Sequence, residues 1–255
     1  MPIRMIALDL DGTLLHDDKT LSDFTLAQLR RCQAMGIKVV FATGRSETGA
    51  SRFFEQFDAD GTITSGGAIA RAGGKLITSA LMPSAVTDGF IARCLQMPGI
   101  KHILLAGEHA HLSNDPRATE AVDTAHYAFS DFSALPHQKA YKLTLITADM
   151  DAIHQLAREF DSLSFTTYTG EDMHAFASKL AVKEVALEAL AKHYGIALED
   201  VAVFGNDMND LGMIRECGLG VAVGNAIPEL IAAADEVCRS NNDDGVGRWI
   251  EHNIR

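Results

Sequence analysis

The sequence is poor in positive charge, in cysteine and in long apolar runs. Lysine and arginine total 22 against 34 aspartates and glutamates, a formal net charge of -12 over 255 residues. That deficit argues against the electrostatic phosphate tracking on which nucleic-acid binding rests. It leaves room for a small anionic substrate, because a local site can oppose the global field. The four cysteines, Cys32, Cys94, Cys217 and Cys238, are scattered and form no CxxC pair. They read as free thiols rather than as a disulfide or metal framework. No stretch is apolar over the roughly 20 residues that a membrane helix needs. Asp9 interrupts the early apolar run, so no secretory leader is expected. A soluble, cytoplasmic protein with reduced thiols follows, with no nucleic acid or membrane among its partners. Internal repeats and low-complexity linkers are also lacking. Nothing in the composition sets an oligomeric state.

What is present is a large apolar fraction, 47%, enough for a sizeable core. The length suits one large domain, or a core domain with a smaller one. Short apolar runs alternate with helical patterns at both ends of the chain. Arg4 to Leu10, "IKVVFA" (37–42), "GTIT" (61–64), "VAVFG" (201–205) and "LGVAV" (219–223) read as buried strands. Helices are expected at Leu21 to Met35, capped by Ser22 or Asp23, and at Arg45 to Phe57. Others are expected at Leu180 to Tyr194, Met208 to Cys217 and Ile227 to Ala234. Strands apolar at every position, separated by helices, imply an α/β fold: a mostly parallel, Rossmann-like sheet covered on both faces. The middle differs. Strand patterns at 101–113, 141–149 and 164–177, with a helix at 149–160, describe an α+β module inserted into the parallel sheet. The expected division is a core of 1–81 and 179–255 and an insert of 82–178.

In open parallel sheets, ligands bind beyond the carboxyl ends of the strands. "MIALDLDGTLL" (5–15) ends a strand with two carboxylates, Asp9 and Asp11, two positions apart. Thr43, Gly44 and Arg45 end the second strand. Asn206 and Asp207 end "VAVFG", and Asn209 and Asp210 open the next helix. Each alone reads as a helix cap. Together they gather acidic and hydroxyl groups at one edge, where like charges repel. A Mg²⁺ ion resolves that repulsion, since it takes hard oxygen ligands and shares substrate phosphate oxygens. One carboxylate can then serve as nucleophile and the other as acid and base. Gly12 permits a sharp turn that faces amides toward an anion, and Thr13 adds a hydroxyl.

"DLDGTLL", "VVFATGR", the lysine opening "VKEVALEALAKHYGI", "VFGNDMND" and "GVAVGNA" together resemble the haloacid-dehalogenase-like (HAD) hydrolases. Within that superfamily the sequence is similar to the Cof-type, subclass IIB, phosphatases. The resemblance implies an aspartyl-phosphate formed on Asp9, with Asp11 protonating the leaving oxygen and later activating water. It gives Thr43 a hydrogen bond to the phosphoryl group and Lys183 the neutralising charge, with Lys179 as a rival. It assigns Mg²⁺ to Asp9, the Asp11 carbonyl and the fourth motif, meaning Asn206, Asp207 and Asp210. Gly12, Thr13, Gly44, Arg45 and Asn209 would line the substrate site. The implied reaction is hydrolysis of a small phosphorylated metabolite such as a sugar phosphate, pyridoxal phosphate or flavin mononucleotide. Sugar phosphomutase and non-catalytic phosphometabolite binding are the alternatives.

Two positions depart from the family pattern. The fourth motif is usually "GDxxND", but here Asn206 stands where a metal-binding aspartate is expected. "SGGA" (65–68) replaces an asparagine-containing turn. The insert is expected to lie over the strand ends, exclude water and select the substrate, with "LLHDDKT" (14–20) as a short flap. Other features read as structural. His109 and His111 would share an exposed strand face, the favoured reading, or begin a metal site that has no third ligand nearby. His174 would lie in a hairpin turn, "GEDMHAF", either exposed or facing substrate. Gly66 and Gly67 would form a plain turn, the favoured reading, or cradle an anion. Arg45 would contact phosphate or pair with the acidic rim. "NNDDG" (241–245) would lie close to the site or, the preferred reading, cap the final helix through Asp243 or Asp244. Met208 and Met213 would be core.

Overall fold

The computed structural model describes residues 2–119, 127–168 and 172–255. Met5–Leu8 forms β1 with every side chain buried. Ile6 and Leu8 enter one apolar cluster, Met5 and Ala7 the other. Alternate side chains of a strand leave on opposite faces. A strand apolar at every position is therefore buried on both sides.

Along the chain follow α1 (Asp23–Ala34), β2 (Lys38–Ala42), α2 (Glu47–Phe54), β3 (Gly61–Thr64), β4 (Ile69–Ala72) and β5 (Lys75–Ser79). Ser22 caps α1 by accepting from the Thr25 N–H, and Gly36, at φ 83°, lets the chain leave the helix. Residues 80–181 form a second compact unit. It contains α3 (Ser84–Cys94), β6 (His102–Gly107), β7 (His111–Ser113), β8 (Ala128–Phe129), β9 (Ala140–Ile146), α4 (Met150–Glu159), β10 (Leu163–Thr167) and β11 (Met173–Ser178). The chain then returns to the first unit through α5 (Lys183–Tyr194), β12 (Val201–Gly205), α6 (Leu211–Glu216), β13 (Leu219–Ala222), α7 (Pro228–Ala233), β14 (Glu236–Val237) and α8 (Gly245–Asn253).

The first unit holds an eight-stranded sheet in the order β14-β13-β12-β1-β2-β3-β4-β5. Pairing is parallel from β14 to β3 and antiparallel at β4 and β5. That edge hairpin, turning at Gly73 and Gly74, lies beyond the sequence expectation, which named no strand between "GTIT" and the insert. Leu26 and Leu29 of α1, Phe53 of α2 and Trp249 and Ile250 of α8 cover one face. Ala186, Leu187 and Leu190 of α5, Met213 and Ile214 of α6 and Leu230 of α7 cover the other. The strand order places β1 and β12 side by side at the centre, so their carboxyl ends meet.

The second unit is a six-stranded sheet, β10-β11-β9-β6-β7-β8, antiparallel except between β7 and β8. Phe90 and Ile91 of α3 and Ile153 and Leu156 of α4 pack on one face. α3 was not expected, because Ser, Thr and Gly interrupt its apolar spacing. Two expectations for this unit are corrected. His174 is neither a turn residue nor exposed: it is buried in β11, its ring against Thr167 Oγ1 (3.0 Å) and Thr147 O (3.1 Å). Of the turn expected beside it, residues 169–171 lie outside the described residues. His109 is exposed in the turn between β6 and β7, while His111 lies on β7 with its ring 5.4 Å from that of Tyr127, so the two share no strand. Among the described residues, no helix is long and apolar enough to cross a membrane.

Candidate active site

Strand pairing sets the backbone of the site. Asp9 follows β1 directly, and its N–H donates to Phe204 O of β12 (3.1 Å), extending the ladder past the strand end. Thr43 follows β2 in the same way, donating to Ile63 O of β3 (2.8 Å). Lys183 is the first residue of α5, and Asp210 sits at the end of the single turn Met208–Asp210. All belong to the first unit.

Lys183 is 1% exposed and its ammonium lies 2.7 Å from Asp9 Oδ1 and 2.7 Å from Asp210 Oδ1. The other oxygen of Asp210 accepts from the N–H groups of Asn206 (3.0 Å) and Asp207 (3.2 Å). Asp210 is thus fully engaged, holding Lys183 and the turn. One positive and two negative charges in a buried pocket leave a net negative charge. Burial, joined by the charges of Asp210 and Asp11, pushes Asp9 up to about 7 against the pull of Lys183. Burial alone would lower Lys183, but Asp210 and Asp9 outweigh it and hold the ammonium charged.

Asp11 faces other partners. Arg45 donates to both of its oxygens, from Nε at 2.7 Å and Nη2 at 2.8 Å, and Lys19 Nζ lies 3.0 Å away. Burial raises the Asp11 carboxyl, yet these cations outweigh it and hold it below its ordinary value. Thr43 is buried and its Oγ1 accepts from the Arg45 N–H (3.1 Å), so the second motif is folded onto Asp11. Gly44 is half-buried beside it. Gly12 has φ +77°, and an added Cβ would lie 2.6 Å from the Asn206 amide. Thr13 is buried against the same amide (3.0 Å).

The expected metal residues are divided. Asp207 accepts from the Met208 N–H (2.7 Å) and caps the turn, and Asn209 is exposed on it. The helix expected at 208–217 opens as that capped turn and continues directly as α6. Met208 is exposed on the turn, against expectation, while Met213 is core. Among the described residues, no three His, Cys, Asp or Glu side chains gather as a metal site. What gathers instead are oxygens of mixed kind: Asp9 Oδ2, the Asp11 carbonyl, Thr13 Oγ1 and the Asn206 amide. The amide stands within 3.0–3.2 Å of the other three. With no nitrogen or sulfur ligand, this donor set fits a hard cation of the Mg²⁺ kind.

Sequence reasoning missed several supports. Gly67 is not a plain turn. At φ +106° it packs so tightly on Val182 that an added Cβ would lie 2.3 Å from that backbone, and Val182 leads into Lys183. Asn225 of "GVAVGNA" donates to Gly12 O (2.7 Å) and accepts from the Asn241 N–H (2.9 Å). Asn241 is buried and donates to Leu15 O (2.9 Å). Asp244 occupies the N-cap position of α8 but does not cap it. Its carboxylate takes Ser22 Oγ (2.5 Å), His16 Nε2 (3.1 Å) and Thr25 Oγ1 (3.2 Å). "NNDDG" therefore clamps the 14–20 flap rather than capping the helix. Only its place after the last sheet strand signalled this.

A sequence model of a family described as haloacid dehalogenase-like hydrolase matches residues 6–250. The chain is similar to the 5-amino-6-(5-phospho-D-ribitylamino)uracil phosphatase YitU of Bacillus subtilis (strain 168), at 27% identity over 97% of this chain and 96% of the relative. It is also similar to the HMP-PP phosphatase of Cronobacter sakazakii, at 27% identity over 90% and 87%. Among solved structures, that of the HAD subclass IIB sugar phosphatase BT4131 superposes with a TM-score of 0.85, at 23% identity over 98% of both chains.

Proposed function

The chain belongs to the haloacid dehalogenase-like hydrolases, and from that premise we propose that it is a Mg²⁺-dependent phosphatase of small phosphorylated metabolites, with Asp9 as nucleophile. The observation that carries this reading is the buried Lys183 ammonium, 2.7 Å from Asp9, at the carboxyl end of the central strand. A cation fixed beside a buried carboxylate is what lets that carboxylate approach an anionic phosphate.

In the first step Asp9 attacks phosphorus and the bond from phosphorus to the leaving oxygen breaks. Asp11 gives that oxygen its proton. In the second, water attacks the phosphorus of the aspartyl-phosphate, Asp11 takes the water proton, and inorganic phosphate leaves with Asp9 restored. Asp11 is ionised while paired with Arg45 and Lys19, which suits the second step. For the first it must part from them and carry a proton. Thr43 donates its hydroxyl to the transferring group. Mg²⁺, held by Asp9, the Asp11 carbonyl and Asn206, would offset the charge of the phosphoryl oxygens. The names of the similar YitU and HMP-PP phosphatases support a small heterocyclic or sugar phosphate as substrate. Residues 80–181 would select it.

The test is a phosphate-release screen over phosphorylated metabolites, with and without Mg²⁺, using Asp9→Asn. We expect Mg²⁺-stimulated release from the native protein and none from the variant, with an unchanged circular dichroism spectrum. Release retained by Asp9→Asn would overturn the assignment. Rearranged substrate without free phosphate would identify a mutase.

A further inference from the structure

Asn206 stands where the family pattern carries an acid, and its amide is the point on which the site's oxygens converge. The two orientations of that planar group differ by a half-turn. In one, Oδ1 accepts from Thr13 Oγ1 at 3.0 Å. That orientation also turns the oxygen toward acceptors, Asp9 Oδ2 and the Asp11 carbonyl, and the nitrogen toward donors. In the other, Nδ2 donates to the Asp11 carbonyl (3.1 Å) and to Asp9 Oδ2 (3.2 Å) and lies 3.0 Å from Thr13 Oγ1. The hydrogen-bond network selects the second orientation for the protein without a cation. An amide presents donors on one edge and an acceptor on the other, and a carboxylate has no donor to offer.

We propose that Asn206 is a two-position element: its amide nitrogen ties Asp9 and the Asp11 carbonyl together when no cation is bound, and a half-turn presents its oxygen when one is. The first orientation sets the amide oxygen against Asp9 Oδ2 and the Asp11 carbonyl with no donor between them, which is the arrangement a hard cation stabilises. The second satisfies the same oxygens with N–H groups. An aspartate could do only the former. Asn206 therefore exchanges cation affinity for a site that stays assembled without the cation. Gly12 belongs to the device, because any side chain there would strike the amide. The inference rests on the reading that these groups hold the cation, but its central readout, stability in chelator, needs no turnover.

The test compares the native protein, Asn206→Asp and Asn206→Ala by thermal melting in EDTA and in saturating Mg²⁺, with Mg²⁺ affinity measured by calorimetry. In EDTA, Asn206→Asp loses the donors to two acceptors and adds a like charge, so Tm should fall by roughly 5 °C or more. Mg²⁺ should restore it, with affinity about tenfold or more above native. Asn206→Ala should melt low in both conditions. A native-like Tm for Asn206→Asp in EDTA, or an unchanged Mg²⁺ affinity, would overturn the proposal. If that variant does not fold, the native protein still decides. Its Asn206 side-chain ¹⁵NH₂ signal should be protected from solvent exchange in EDTA and should shift and lose protection as Mg²⁺ saturates. A signal indifferent to Mg²⁺ would refute the half-turn. Failure of the phosphatase assignment would leave the melting result in EDTA untouched, so the two readings fail separately.

Discussion

Replacing Lys183 by methionine removes one charge and keeps much of the volume. In the native protein the ammonium satisfies Asp9 and Asp210, each at 2.7 Å, and all three side chains are almost wholly buried. Breaking a buried pair by removing one partner costs about 3–5 kcal/mol, because the remaining charge has no counterion and little water. Here two carboxylates are left facing each other. In a protein of this size each kcal/mol moves Tm by about 2–4 °C, so the loss is of order 10 °C. Urea unfolding in EDTA reports it cleanly, since Trp249 is the single tryptophan and is buried against Phe204 in the first unit. Adding Asp210→Asn to Lys183→Met removes the repulsion and should recover about half of the loss, giving a favourable coupling in the double-mutant cycle. A Lys183→Met variant within about 1 kcal/mol of native would mean that this triad is not what holds the site together. Under the proposed function it should also lose about 10²–10³ in kcat.

Gly67→Ala should destabilise the protein by about 3 kcal/mol or more and lower kcat, because a Cβ at φ +106° would collide with the Val182 backbone and push Lys183 off Asp9; melting and phosphate release read both, and a native-like Tm would show that the backbone there yields cheaply. Asp60→Asn tests a charge away from the site. Burial would raise Asp60, but Lys38 (2.6 Å), the Val39 N–H (3.0 Å) and Gln33 (3.0 Å) outweigh it and hold the carboxyl below 3.8. A depressed folded value stabilises above the unfolded one and is lost as pH falls through the folded one. The variant should therefore lose about 1–2 kcal/mol at pH 7 and converge with native below pH 3.8, as measured by urea unfolding across pH.

Much of the core was legible because strands buried on both faces have to be apolar throughout. β1, β2, β12 and β13 each stood out as such a run, and the Ser22 cap and Gly36 stop marked α1 by their chemistry. The β4–β5 hairpin was not, because an edge strand such as Lys75–Ser79 is exposed and carries no continuous apolar signal. α3 was hidden by Ser, Thr and Gly among its apolar positions. His174 looked like a turn residue because Gly170, Glu171 and Asp172 precede it closely, yet its two ring nitrogens meet Thr167 and Thr147, and a satisfied histidine can be buried. At the site, Asp9 and Lys183 were readable from motif order. The pairing of Asp11 with Arg45 and Lys19 was not, since a sequence shows which charges are near a strand end and not which of them meet.

That pairing bears on how an anionic substrate enters. Asp9, Asp11 and Asp210 face Lys183, Arg45 and Lys19, three carboxylates against three cations. The site is balanced as it stands, and Asn206 adds no charge to it. A phosphate ester brings further negative charge, which a largely buried site tolerates only with a partner. Two sources would supply one. Under the proposed function, a divalent cation held by Asp9 and the Asp11 carbonyl would add positive charge outright. Arg45 and Lys19, both bound to Asp11, add it by exchange, since an Asp11 that has taken up a proton no longer holds them. Under the proposed function, the second route would link the charge that receives the phosphate to the proton that the leaving oxygen needs. Arg45→Lys separates the two contributions: it keeps the charge but loses the two-pronged hold on Asp11. It should leave Mg²⁺ affinity near native while raising KM for the phosphate ester about tenfold. An unchanged KM would mean that Arg45 serves Asp11 alone.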